Sequence, residues 1–140
     1  MSQSTPFQPA VLLPQDQARD GKHYGMGFSH IDFKVTAQDS PDLFVLENIF
    51  HRKGGPARHL HVEQDEWFFV IEGEFIFEVG EQRMRLKPGD SLFAPRKVPH
   101  VWAYVGDGRG RILIAFTPAG KMEAFFREVT QANAMPLQYP

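Results

Sequence analysis

Residues 59–66 read HLHVEQDE, with one residue between the two histidines and four between His61 and Glu66. If residues 58–62 form a strand, His59 and His61 point to the same face, because alternate side chains of a strand share a face. Two imidazoles suit a dry core poorly, since each ring has a nitrogen donor and a nitrogen acceptor to satisfy. A divalent metal would satisfy both rings and supply the counter-charge that a buried Glu66 needs. The alternative is a pair of surface histidines beside an acidic turn.

A second stretch, PRKVPHVWAY at residues 95–104, adds a third histidine. His100 follows Pro99 at the start of a predicted strand, so His100, Trp102 and Tyr104 share one face. Three histidines and one glutamate are a suitable ligand set for iron, manganese, nickel, copper, cobalt or zinc. The two stretches together therefore favour one divalent transition metal per chain, of unknown identity.

These two stretches resemble the motifs of the cupin family, over about residues 40–117. The first cupin motif contains glycine, His-x-His, glutamate and glycine, and here reads Gly54-x4-His59-x-His61-x4-Glu66-x6-Gly73. The second contains glycine, proline and histidine, and here reads Gly89-x5-Pro95-x4-His100-x3-Tyr104. The opening glycine stands one residue nearer to the histidine than is usual in the family. Tyr104 replaces the motif's final asparagine, which is not a ligand, so the departure concerns the pocket wall.

The resemblance implies a jelly-roll barrel with a mononuclear metal bound by His59, His61, Glu66 and His100. It assigns no role to the other histidines. We therefore interpret these three as ordinary surface or loop residues: His23, His30 and His51.

Residues 26–117 consist of short apolar or alternating runs separated by glycine, proline and aspartate. This pattern is typical of an all-β sandwich or barrel. The runs are FSHIDFKV, DLFVLENIF, EWFFVIEG, EFIFEVG, QRMRLKPG, SLFAP, HVWAYVG and RILIAFTP. Residues 118–132 predict a C-terminal helix, whose apolar residues are spaced for one face that packs on the barrel. Residues 1–25 predict an extended arm that floats free, or lies on the domain or on a partner subunit, and 133–140 a tail.

The composition excludes several classes of function. A chain of 140 residues fits one domain. It contains no cysteine, so disulfides, thiol catalysis and cysteine-bound zinc are excluded. The net charge is −2 and the cations are scattered, so nucleic acid is not an expected partner. No apolar run is long enough for a membrane span and the N-terminus does not resemble a signal peptide, so we expect a cytoplasmic protein without a membrane partner.

The surrounding sequence resembles bacterial single-domain cupins related to quercetin 2,3-dioxygenase. The resemblance implies a dioxygenase that binds a small aromatic or enolic compound, such as a flavonol or diketone, with Glu66 as both ligand and general base. Phe68, Trp102 and Tyr104 would line its pocket, although simple core filling is the alternative for these aromatics. A non-redox isomerase or lyase remains open, and so does a cupin that binds a small molecule without turnover. Arg58 should alternate outward, away from any pocket.

The strand that begins at Glu66 also carries an apolar outer face. Trp67, Phe69 and Ile71 point away from the metal face, which is too much apolar surface to leave in water. The N-terminal arm or a second copy of the chain should cover it. We expect a homodimer formed sheet to sheet.

Overall fold

Two antiparallel β-sheets and one helix form the computed structural model, which describes residues 7–132. The large sheet has six strands in the order β1-β2-β3-β9-β4-β7, and the small sheet has three in the order β6-β5-β8. This arrangement confirms the predicted jelly roll. The elements are β1 (Tyr24–Gly25), β2 (Ser29–Val35), β3 (Phe44–Phe50), β4 (Asp65–Glu72), β5 (Phe75–Val79), β6 (Gln82–Leu86), β7 (Ser91–Ala94), β8 (His100–Tyr104), β9 (Gly110–Thr117) and α1 (Met122–Ala132).

Side-chain alternation sets which face of each strand is buried. In β4, Glu66, Phe68 and Val70 point inward and are buried, while Trp67 points outward and is 37% exposed. The space between the sheets is filled mainly by aromatic rings. The fully buried ones are Phe33, Phe44, Phe50, Phe68, Phe75, Phe77, Tyr104 and Phe116.

Residues 58–62 do not form the strand that would make His59 and His61 neighbours on one face. The segment touches β8 through a single bridge, in which the backbones of His59 and His100 exchange hydrogen bonds of 2.9 and 2.8 Å. Farther along, Lys97 N–H donates to the carbonyl of His61 at 2.7 Å. The loop is thus held at separate points, and this fixes both histidines without a regular ladder.

Residues 17–25 of the predicted arm pack on the domain of their own chain. Arg19 N–H donates to the carbonyl of Phe33, and the Arg19 guanidinium pairs with Asp39 at 3.0 Å. The last two residues assigned to the arm, Tyr24 and Gly25, form strand β1 against β2. Residues 1–6 of the arm and the predicted tail, 133–140, lie outside the described residues.

The C-terminal helix begins at Met122, four residues after the predicted start. Gly120 has a φ of +54°, a left-handed conformation that prevents a right-handed helix from starting at Pro118. The predicted apolar face is confirmed, because all four of its residues are buried: Met122, Phe125, Phe126 and Val129. Helix α1, the one helix among residues 7–132, is neither long nor apolar enough to cross a membrane.

Candidate metal centre

Four side chains converge inside the barrel, as the motif spacing predicted. His59 and His61 come from the loop between β3 and β4, Glu66 is the second residue of β4, and His100 is the first residue of β8. One potential ligand atom from each lies within 4.8 Å of the others, so the group could hold a metal ion. His61, Glu66 and His100 are almost fully buried, and His59 is partly exposed. Sequence reasoning therefore identified residues that the fold brings together.

Glu66 is the electrostatic centre of this group. Its Oε1 atom lies 3.1 Å from Nε2 of His61 and 3.1 Å from Nε2 of His100. Burial by itself would raise the pKa of Glu66, but the two imidazoles outweigh burial and lower it to about 2. The glutamate is therefore an anion at any physiological pH, as a metal ligand must be.

The burial of these polar atoms tests whether the residues fit a metal. Among residues 7–132, neither nitrogen of His100 makes a satisfactory hydrogen bond, and neither does Glu66 Oε1. Buried polar atoms without partners are costly, and a divalent cation between them would satisfy them together. The donor set therefore fits a metal.

His59 is held in the form that a metal requires. Its Nδ1–H donates to the carbonyl of Ala57 at 2.7 Å, which leaves the lone pair on Nε2. Burial lowers the pKa of His59 to about 4, despite the opposing effects of the Ala57 carbonyl and Glu66. The ring is therefore neutral at pH 7, and its backbone partner fixes both tautomer and orientation.

His59, His61 and Glu66 border a cavity of about 230 Å³ with a mostly apolar wall. Loop residues Gly55, Pro56 and Ala57 form one side, and helix α1 contributes Phe126. No lysine or arginine is among the described residues that line it. The remaining wall residues are Met26, Phe28, Ser29, Leu46, Asn48, Phe50, Trp102, Ile114 and Phe116. As expected, Arg58 points outward, where it binds Glu78 and the carbonyl of Gly80.

Of the three predicted wall residues, only Trp102 lines this cavity. Phe68 lies behind the site, with its ring centroid 6.1 Å from that of His100. Tyr104 is fully buried away from the cavity, and its hydroxyl donates to the carbonyl of Asp107 at 3.0 Å. Gly73 and Gly110 give this ring its space, because a Cβ at either position would lie 2.6 Å from a ring carbon. Tyr104 therefore supports the turn before β9 instead of forming the pocket wall.

Sequence reasoning missed the part of the wall that comes from β3. Leu46, Asn48 and Phe50 alternate along this strand and all line the cavity. The signal was present in LENIF, where a polar Asn48 shares a face with two apolar residues. Pattern alone did not show which face of β3 meets the metal ligands, because that depends on its pairing with β9.

Comparison with known proteins agrees with this fold. A family model described as "Cupin domain" matches residues 49–116, which contain all four ligands. The chain contains a cupin domain. A protein of Methanocaldococcus jannaschii is 27% identical to it over 60 residues, which cover 43% of this chain and 48% of that protein. The chain thus matches about half the length of this curated relative.

Solved structures share the architecture of this cupin. An RmlC-like cupin from Shewanella frigidimarina has 22% identity and a TM-score of 0.67, over 83% of this chain and 97% of that chain. The oxalate decarboxylase of Bacillus subtilis, described with Mn(II) centres, has 16% identity and a TM-score of 0.65, over 81% of this chain and 31% of that chain. At these identities the likeness shows the fold alone.

Of the remaining three histidines, interpreted as ordinary surface or loop residues, His23 and His51 are exposed and lie outside the strands, while His30 is partly buried in β2. The fold brings His23, His30 and His51 together beside Asp32. Ligand atoms of His23, His30 and Asp32 lie within 4.8 Å of one another. The strands that bring them together are far apart in sequence, so no local motif marks this cluster.

Proposed function

We propose that this cupin is a metal-dependent dioxygenase that acts on a small enolic or phenolic compound. The observation that supports the proposal is the candidate ligand set of His59, His61, Glu66 and His100. Three of these residues line an apolar cavity whose described wall contains no lysine or arginine. Bound there, a divalent transition metal would supply a Lewis acid and, if redox-active, a centre for oxygen chemistry. The protein's own part is to bind, orient and desolvate the substrate.

Glu66 restricts the kind of proton that this site can accept. A general base works best when its pKa is near the operating pH, and the pKa of Glu66 is about 2. Glu66 is therefore a weak base, and it would accept a proton only from a group that a bound metal makes more acidic, such as an enol or a phenol held through its oxygen. An ordinary alcohol would not be deprotonated, which favours an enolic substrate over a simple sugar hydroxyl.

The cavity also limits the size and charge of the substrate. Sites for drug-sized ligands are about 300–1,000 Å³, so a cavity of about 230 Å³ favours a compact molecule. A compact diketone enol fits this limit better than a three-ring flavonol. A dianion such as oxalate would need cationic partners besides a metal, and the described wall provides none.

Apolar rings separate the proposed reaction from bulk water. Trp102 and Phe116 are buried and line the cavity beside the ligands, and Phe126 covers it from helix α1. Exclusion of water strengthens each electrostatic interaction in the site. These three rings would position the apolar part of the substrate, while its oxygen faces the metal.

The test begins with metal content, measured by mass spectrometry on protein purified without a histidine tag. Oxygen uptake is then recorded with a compact diketone, a flavonol and oxalate, for protein loaded with iron, manganese, nickel or copper. The His61→Ala variant is the control for metal at this site. We expect substrate-dependent uptake with the diketone, less with the flavonol and none with oxalate. Bound metal without uptake would contradict the dioxygenase proposal and favour the non-redox or binding alternatives.

A further inference from the structure

The histidines outside the metal centre lie on the outer face of the large sheet, where three strands meet. In the β1–β2 register Tyr24 pairs with Ile31, which places His23 opposite Asp32. His30 and Asp32 are two residues apart on β2 and share a face, while Ile31 between them points into the core. The cluster therefore lies on the opposite face of β2 from the barrel interior.

His51 completes the cluster from the third strand. It follows β3 directly, and its N–H donates to the carbonyl of Phe28 at 3.0 Å, which extends the β2–β3 ladder by one residue. Its Nε2 lies 2.8 Å from Nδ1 of His30, and the two rings stack with centroids 4.9 Å apart. His51 is thus linked to this cluster through His30.

The buried carboxylate in this cluster has no permanent cation beside it. The Asp32 side chain is 3% exposed, and its one ion-pair partner among residues 7–132 is His23, 2.5 Å away and charged only if protonated. Glu47, directly opposite Asp32 on β3, is equally buried but has Arg111 at 2.6 Å and Lys34 at 3.9 Å. A buried carboxylate without a cation is unfavourable, so Asp32 lacks the compensation that its neighbour has.

We propose that His23, His30 and Asp32 form a second binding site for a divalent transition metal, with the His51 ring beside His30. Two imidazoles and one carboxylate are a known ligand set for zinc, and three protein ligands leave the fourth position to water. The His23 side chain is 55% exposed, which gives a metal ion access from solvent.

A metal ion at this second site would strengthen the edge of the large sheet, where few hydrogen bonds hold the outermost strand. β1 has only two residues, and it is the edge strand of the large sheet. A metal ion between His23 and His30 would fasten this edge to β2, and the contact between His30 and His51 continues the link to the end of β3. Because the ligands come together only in the folded chain, binding stabilises the native state.

The experiment counts zinc ions on protein that has been stripped with a chelator. Titration calorimetry at pH 7 and metal analysis after gel filtration should find two equivalents on the wild-type protein. The His59→Ala/His61→Ala variant, which lacks the first centre, should keep one. The His23→Gln/His30→Gln variant should also keep one, and the exposed Lys22→Gln variant serves as its control and should keep two.

A stability measurement gives an independent reading of the second site. Zinc should raise the urea midpoint of the His59→Ala/His61→Ala protein, and adding His23→Gln should abolish that rise. Binding of no zinc by the His59→Ala/His61→Ala variant would overturn the proposal, whatever the fold of the other variants. Two equivalents on the His23→Gln/His30→Gln variant would overturn it as well. Neither result bears on the proposed oxygenase activity, which depends on the first centre.

Discussion

Replacing Glu66 by glutamine tests the metal centre with nearly no change in shape. The variant removes the one negative charge among the four ligands and keeps an oxygen atom near His61 and His100. Loss of partners in the shell beyond the ligands typically weakens metal binding by about 10–100-fold. Loss of a direct anionic ligand should cost more, so we expect at least a ~100-fold weaker affinity for Co²⁺ or Mn²⁺.

The metal-free protein should respond in a pH-dependent way. The pKa of Glu66 falls from 4.5 to about 2 in the folded chain, a preference for the ionised form of roughly 3 kcal/mol. A carboxyl with a lowered pKa contributes stability that is complete above its unfolded pKa and is lost as the pH falls through its folded pKa. Glu66→Gln should therefore lower the free energy of unfolding by roughly 3 kcal/mol at pH 7, and by much less near pH 2.

Calorimetric titration with metal, and urea unfolding of the metal-free protein between pH 2 and 7, give the two readouts. Glu63→Gln is the matched control, since Glu63 is an exposed carboxylate three residues earlier in the chain. It should behave as wild type in both. If Glu66→Gln binds metal within tenfold of the wild-type affinity, the ligand assignment is wrong. A stability difference that does not change with pH would contradict the electrostatic explanation.

Three further expectations concern the rest of the chain. The metal-free protein should lose stability as the pH falls from 6.5 toward 4, because His59 binds a proton less readily in the folded chain than in the unfolded chain. Urea unfolding at several pH values should therefore show that the free energy of unfolding changes less steeply with pH in the His59→Gln variant. Arg111→Met should cost about 3 kcal/mol in urea unfolding by leaving Glu47 buried without its closest cation, and a neutral effect would refute that pairing. Because Phe93 is 56% exposed beside Trp67 on an edge strand, we propose that this surface forms a homodimer; sedimentation should find a dimer that Phe93→Lys dissociates, and a monomeric wild type would contradict it.

The main fold elements could be predicted because their signals are local. Alternation along EWFFVIEG identified β4 and its buried face, and the spacing of Met122, Phe125, Phe126 and Val129 identified the buried face of α1. The start of α1 was missed because Gly120 adopts a left-handed φ that a periodicity argument does not register. The periodicity of apolar residues shows which side chains share a face, but it does not show at which residue a strand or helix begins.

The same distinction applies to Tyr104. Its strand and its inward direction followed from alternation, and both are confirmed. Whether the ring met the cavity or the glycines of a neighbouring turn depended on the space left by Gly73 and Gly110. Packing of that kind involves residues distant in sequence, so inspection of one strand could not settle it.

The two histidine clusters show what the sequence determined and what the tertiary structure determined. The sequence by itself identified His59, His61, Glu66 and His100, because their spacing in two short motifs reflects a shared requirement for one site. Only the tertiary structure brought His23, His30 and His51 to Asp32. The physical reason is strand register: pairing between β1, β2 and β3 decides which residues lie opposite one another, and that register is set by the packing of the whole sheet.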